Sequence, residues 1–368
     1  MPFSSADSES AFCPADGLPT ALQAGLARTH LAGIDGLRAI AALLVVLYHA
    51  GVPGIPASMG VLAFFVLSGF LITRLLIAEE ARTQTVSLSR FYVRRSFRIF
   101  PAFYVYWFVA MAYAAARHHP LDWPQSVSAF FYLSNYYQAI VGDPGNGLSH
   151  TWSLGVEEQF YLLWPFVFLL LGDNARRFKA LIVLIPVLWL YRESLVYVFH
   201  VDQRYIYEAF DTRVDHILMG CLLAVALETG RFGKLWKVVC LSPYLLVVTI
   251  GLMVLAFRGA TVLHVRDYRD SVEFVIVPVL CALLIAQLVA FPSHPITRPF
   301  NWEWMRFLGR ISYSIYLYQQ LVVYPAMKVF EGSRVLGVMA AIAASILLAT
   351  CSYYLIEQPF LRLRQRYS

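Results

Sequence analysis

Ten apolar windows, each near twenty residues long, leave this chain little choice of fold. They fall at about 34–52, 59–78, 99–116, 155–171, 179–199, 214–229, 238–257, 272–291, 311–329 and 335–356. About twenty apolar residues at 1.5 Å rise cross the ~30 Å hydrocarbon layer as a helix, and a bilayer leaves a spanning segment no other way to satisfy its backbone. Of the 368 residues 59% are hydrophobic and 14% charged, and mean hydropathy is +0.61. An average soluble domain carries about 25% charged residues. The expectation is an all-α polytopic membrane bundle of about ten transmembrane helices.

An eleventh candidate, Ser126 to Val141, is interrupted by Ser134, Asn135 and Gln138. The positive-inside rule decides its fate. If it does not cross and both termini are cytoplasmic, inner segments hold 18 Lys and Arg residues and outer segments seven. If it crosses, the basic loops after it change sides and the bias largely disappears. Residues 126–141 are therefore expected to be re-entrant or interfacial. The net charge of +6 is topology, and nothing in it suggests nucleic-acid binding.

The domain boundaries follow. Residues 1–30 are polar, lack the basic start and apolar core of a signal peptide, and are expected to be a disordered tail. Residues 31–360 form the membrane domain and 361–368 a basic cytoplasmic tail. The five cysteines are dispersed and contain no C-x-x-C pair, so neither a disulfide framework nor a metal site is expected.

Ionisable groups inside such a bundle are costly and therefore functional candidates. Arg38 and His49 lie eleven residues apart in one apolar stretch, IDGLRAIAALLVVLYHA. That is about 16 Å along a helix and close to three turns, so both project from nearly the same face. Arg74 stands towards the inner end of the next span. Arg94, Arg95 and Arg98, in RFYVRRSFRIFP, are either plain positive-inside anchors or a phosphate site, since guanidinium matches phosphate geometry. Glu157 and Glu158, in SHTWSLGVEEQFYLLWP, face about 100° apart, so one can point inward and orient or deprotonate an imidazole; the alternative is a pair of interfacial carboxylates capping a helix start. His150 reads as a surface histidine. Trp152 and Ser153, with Arg213, Asp215 and Tyr316, are candidates for substrate binding.

These segments, in this order, resemble the acyltransferase-3 family of integral membrane acyltransferases. The matching pieces are Arg38-x10-His49, FFVLSGFLIT, RRSFRIFP, WSLGVEEQFYLLWP, DTRVDHILMG, SYSIYLY and IEQPF. The resemblance implies a protein of the bacterial inner membrane that transfers an acyl group, usually acetyl, from cytoplasmic acyl-CoA. Its acceptors would be hydroxyls of envelope or exported glycans, as in exopolysaccharide modification, or small secondary metabolites. It also implies that Arg38 and His49 are the essential pair, that acetyl-CoA is a donor substrate, and that no cofactor is tightly bound. Lacking a fused hydrolase-like domain, the chain resembles the stand-alone members. Leu62 and Gln319 depart from the family pattern, where many members carry an acidic or polar residue and a His. The competing reading is a transporter with an intramembrane Arg, His and Glu pathway. Against it, no internal repeat and no paired Gly/Pro-broken helices occur in matching positions.

Overall fold

The computed structural model describes residues 17–28, 30–117, 121–145, 147–263 and 268–364. Among them the chain is all-helical, with no strand. Ten longer helices carry the architecture: α1 Ala32–His49, α2 Ala57–Thr83, α3 Leu88–Ala116, α4 Trp152–Leu171, α5 Asn174–Tyr197, α6 Val214–Glu228, α7 Leu245–Leu263, α8 Phe274–Ala290, α9 Ser312–Val329 and α10 Arg334–Ser352. Each coincides with one of the ten expected windows.

Length and apolarity qualify six of these segments to cross a membrane: α2, α3, α5, Ser149–Leu171, Arg269–Ala290 and Arg334–Leu363. A seventh results if α6 and Gly233–Val239, which meet at a 103° bend, count as one span. The remaining windows yield weaker candidates for physical reasons. Helix α6 alone has 15 residues, about 22 Å, which is short for the hydrocarbon layer. Helix α9 dilutes its apolar residues with Gln319, Gln320, Lys328 and tyrosines, and α1 carries Asp35 and Arg38.

Residues 126–141 do not make one helix. Trp123–Phe130 and Ser134–Val141 are separate eight-residue helices, about 12 Å each and too short to cross. Tyr132, between them, has φ 57°.

The expectation of disorder over 1–30 needs correction for its C-terminal part. Thr20–Leu26 is a helix, because Leu18, Leu22 and Leu26 recur every four residues and bury one face. Residues 1–16 and 29 lie outside the described residues. Towards the other terminus, Gln358–Arg364 is helical, so the basic tail begins as a helix, and 365–368 lie outside the described residues.

The core is organised around a backbone-to-backbone crossing of α2 and α6. A Cβ on Gly69 would lie 1.8 Å from the Ile217 carbonyl oxygen, and one on Gly220 would lie 1.9 Å from that of Val66. Small residues permit such an approach in membranes, where close packing replaces the hydrophobic drive between helices. Helices α5 and α7 each turn one face outward, where exposed Val183, Leu190 and Leu255 suit contact with lipid tails. Helix α1 is seated with similar closeness. Gly36 abuts the Phe300 carbonyl, Gly309 abuts that of Asp35 and Gly60 abuts that of Ala41.

A Gly69→Ala substitution should therefore cost about 3 kcal/mol or more through overpacking, because the obstacle is backbone. Size-exclusion profiles and thermal melts in detergent should show loss of the monodisperse protein. Gly251→Ala, on the open face of α7 with nothing within 4 Å of the added Cβ, should leave both unchanged.

Candidate functional site

Helix α1 carries the two ends of the site. Arg38 is half-buried, and its Nε donates to Ser312 Oγ (3.2 Å) on α9. Its guanidinium carbon lies 5.8 Å from the centre of the Phe64 ring. At the other end His49 is exposed, and its Nδ1 lies 2.9 Å from the Val45 carbonyl oxygen. A carbonyl can only accept, so Nδ1 carries the proton and Nε2 presents a lone pair in the neutral ring. Phe64 connects the two levels, since its ring also lies 6.3 Å from that of Tyr316.

Around Arg38 the structure assembles three arginines and three glutamates. Ser68 donates to Glu157 Oε1 (2.8 Å), and Arg95 Nε lies 4.0 Å from Glu158 Oε1. The Arg95 guanidinium stacks 3.5 Å from the centre of the Tyr161 ring. Glu357 accepts from Ser314 (2.6 Å) and lies within electrostatic reach of both Arg98 and Arg38. It belongs to a π-helical turn, Tyr353–Glu357, the kind of local widening often found at functional sites. Arg38 and Arg95 are likewise within reach of Glu157. A low-dielectric interior demands this balance, because an unpaired buried charge is far costlier than a paired one.

Several residues singled out in the sequence take other places. The two adjacent glutamates do point apart, but the His49 tautomer is set by the Val45 carbonyl, while Glu157 is bound to Ser68 and Glu158 faces Arg95. Arg94 gives its Nη2 to Glu79 Oε2 (2.7 Å), with Arg90 3.9 Å from the same carboxylate, so Arg94 braces the α2–α3 connection. Arg74 donates to the Leu26 carbonyl (2.6 Å) and ties α2 to the N-terminal helix. Arg98 is exposed on the face that carries Glu357. Asp215 Oδ2 accepts from Arg192 Nη1 (2.9 Å) and from the Trp189 indole (3.0 Å).

At the His49 end Ser153 Oγ and Tyr316 OH lie 2.5 Å apart, and Tyr316 donates to the His150 carbonyl (3.0 Å). His150, expected at the surface, is buried between the rings of Tyr106 and Tyr316, within electrostatic reach of His49. Trp152 packs against Phe65 and Tyr207. It joins them and Phe274 around Arg213, whose guanidinium carbon stands 3.9 Å from the centre of the Phe274 ring. Arg213 is fully buried, and cation–π contacts take the place of hydrogen bonds to its nitrogens.

The residues that sequence reading passed over are Ser312, Glu357 and His150. Ser312 and Glu357 stand inside the quoted motifs SYSIYLY and IEQPF, and His150 immediately precedes TWSL. Among the described residues, no group of three or more His, Cys, Asp or Glu could hold a metal ion.

Comparison with known proteins fits this arrangement. The model of the acyltransferase domain family (Acyl_transf_3) matches residues 31–356. The peptidoglycan O-acetyltransferase OatA of Listeria monocytogenes is 29% identical over 352 residues, 90% of this chain and 56% of that protein. The putative peptidoglycan O-acetyltransferase YrhL of Bacillus subtilis is 31% identical over 354 residues, covering 90% and 55%. The O-acetyltransferase OatA of Staphylococcus aureus is 29% identical over 348 residues, covering 90% and 57%. The chain thus spans little more than half the length of these curated relatives. No solved structure gives a significant match. A family match across nearly the whole chain, on an all-helical membrane bundle with Arg38 and His49 on one helix, makes this chain a member of the acyltransferase-3 family.

Proposed function

We propose that the protein is a membrane O-acyltransferase that moves an acyl group, most simply acetyl, from cytoplasmic acyl-CoA to a hydroxyl of an envelope glycan. The observation that carries this reading is the division of labour along α1. Arg38 sits in a balanced arginine–glutamate cluster at one end, and His49 presents an unprotonated Nε2 at the other. The names of the relatives, peptidoglycan O-acetyltransferases, support acetyl as the group and a cell-wall glycan as the acceptor. Both termini would be cytoplasmic and α1 would cross the bilayer, so that the Arg38 end meets the donor and the His49 end the acceptor.

In this reading Arg98, exposed near Glu357, receives the CoA phosphates. Arg38 and Arg95 line the path of the pantetheine arm, and Glu157, Glu158 and Glu357 offset the charge of that path when it is empty. Arg94 and Arg74 hold the helices that frame it. The thioester carbonyl arrives at the His49 end. There the acceptor oxygen attacks the carbonyl carbon, His49 Nε2 takes the hydroxyl proton, and the C–S bond breaks to release CoA as the thiol. Trp152, Ser153 and Tyr316 form the wall against which the acceptor rests, while the buried Arg213 and Asp215 hold that wall in shape from behind.

His49→Gln should slow acyl transfer by about 10²–10⁴-fold, the usual contribution of a positioned general base. The measurement is incorporation of radiolabelled acetate from acetyl-CoA into envelope glycan, together with release of CoA thiol. A folded His49→Gln protein with the normal rate would sink the reading, and substrate movement without thiol release would indicate transport instead. The wild-type rate should fall about tenfold per pH unit once the pH lies below the pKa of the His49 imidazole, because protonation removes the Nε2 lone pair.

Arg38→Gln should act on the donor. Half-saturating acetyl-CoA should rise at least about tenfold, the scale of a lost charge-assisted contact, with a smaller change in maximal rate. An unchanged acetyl-CoA dependence would remove Arg38 from the donor path.

A further inference from the structure

A base alone does not complete the reaction, because negative charge builds on the carbonyl oxygen as the acceptor attacks. Enzymes place hydrogen-bond donors where that charge develops, and such donors often carry the largest share of the acceleration. Arg38 lies about 16 Å along α1 from His49 and cannot reach this oxygen. The other end of the site must supply the donor.

We propose that His150 is that donor, holding the acyl carbonyl oxygen while His49 takes the acceptor proton. This assignment rests on the reading of His49 as the base. It begins from an anomaly of hydrogen bonding. His150 is 4% exposed, yet neither its Nδ1 nor its Nε2 makes a hydrogen bond of ordinary geometry among the described residues, although the Leu317 backbone lies close enough to interact with the ring. Buried polar side chains almost always find partners, and a buried imidazole left without any is costly unless something else claims it.

The rest of the residue is held with unusual thoroughness. His150 lies on a 3₁₀ turn, Ser149–Thr151, at the head of α4. Its carbonyl accepts from Tyr316 OH (3.0 Å), and Ser153 Oγ, which donates to Tyr316, lies 3.3 Å away. The next residue, Thr151, bonds the Leu148 carbonyl (2.7 Å) and Ser134 Oγ (2.9 Å). The ring is gripped by Tyr106 and Tyr316, each with its ring centre 5.4 Å away. Tyr106 is anchored in turn through its hydroxyl to the Gly147 carbonyl. Backbone and ring plane are thus fixed while neither ring nitrogen makes a hydrogen bond of ordinary geometry, which is the economy expected of a preorganised donor.

The chemistry balances. In its neutral form His150 keeps one N–H, which donates to the carbonyl oxygen as the acceptor C–O bond forms and the carbonyl π electrons move onto that oxygen. When the electrons return, the C–S bond breaks. The proton on His49 Nε2 then passes to the departing sulfur, giving the acyl ester and CoA thiol. His150 neither gains nor loses a proton. A neutral imidazole used as an electrophile in this way has precedent in other enzymes.

The test compares His150→Gln, which retains an N–H donor, with His150→Leu and His150→Phe, which fill similar space without one. Each is expressed in the native host lacking its own copy, and membrane vesicles are supplied with radiolabelled acetyl-CoA so that the resident acceptor is used. Monodispersity in detergent confirms folding. The maximal rate should fall about 10²–10³-fold in the Leu and Phe variants, with half-saturating acetyl-CoA within about threefold of wild type. His150→Gln should run at least tenfold faster than either. A folded Gln variant no faster than the Leu and Phe variants, or a Leu variant at the wild-type rate, would overturn the assignment. His49→Gln is measured beside them. If it is slow while His150→Leu is normal, only the role of His150 is lost; if it runs at the wild-type rate, the His49 reading has failed.

Discussion

Every charge inside this bundle has to be answered by the protein itself, and most of the architecture follows from how that is done. In hydrocarbon an ionised group has no water to fall back on. Three fully buried arginines are accommodated in three ways. Arg177 makes a two-pronged bond to Glu80 (2.6 and 2.7 Å) and a further bond to the Phe168 carbonyl. Arg192 combines Asp215 with the carbonyls of Thr212 and Asp270. Arg213 is surrounded by aromatic faces. The first two each tie two or more helices together, so breaking either would leave a charge stranded where it costs most. The first two are structural because acceptors hold them, whereas the Arg213 nitrogens have no hydrogen-bond partner among the described residues and rely on ring faces alone.

Packing and chemistry are joined at Ser68 and Gly69. Gly69 brings α2 against the backbone of α6, and the adjacent residue on a helix projects about 100° away. Ser68 therefore turns from that contact towards α4, where it meets Glu157. The depth of the α2–α6 crossing thus fixes where the serine hydroxyl stands and, through it, where one carboxylate of the arginine cluster is held. A larger residue at Gly69 would move both. Small-residue packing and polar function are often treated as alternative explanations of a Ser-Gly pair, but here the first sets the geometry of the second.

Much of this was legible in the sequence because the governing signals are local. Apolar windows located ten helices, and the eleven-residue spacing put Arg38 and His49 on one face of α1. What local pattern cannot reveal is which partner a side chain meets across the bundle. Arg94 read as a phosphate ligand since Glu79, fifteen residues earlier, had no periodic relation to it, yet the α2–α3 turn brings them to 2.7 Å. Two adjacent glutamates looked like the natural orienters of an imidazole, whereas a backbone carbonyl one turn earlier performs that task. His150 read as a surface residue because the stretch from Ser149 was expected to start at the outer surface. Its burial comes from α3 and α9, through Tyr106 and Tyr316. The helix within the expected tail was readable in principle from the Leu18, Leu22 and Leu26 spacing, but the polar residues around it masked that pattern.

The Val45 carbonyl has a consequence for the direction of transfer. By holding the proton on Nδ1 it leaves Nε2 as the one basic atom of the exposed ring. The Phe64 ring neighbours both Arg38, which belongs to the polar ladder with Arg95, Glu158 and Glu157, and Tyr316, which contacts His150. On the proposed reading, a donor entering along the ladder passes only its acyl end beyond Phe64, since its charged groups stay with the arginines. An acceptor approaching His49 then meets the hydroxyls of Ser153 and Tyr316, while the guanidinium of Arg213 is sealed within its rings. In that reading Phe64 is the step across which a carbonyl is exchanged while neither substrate crosses the membrane.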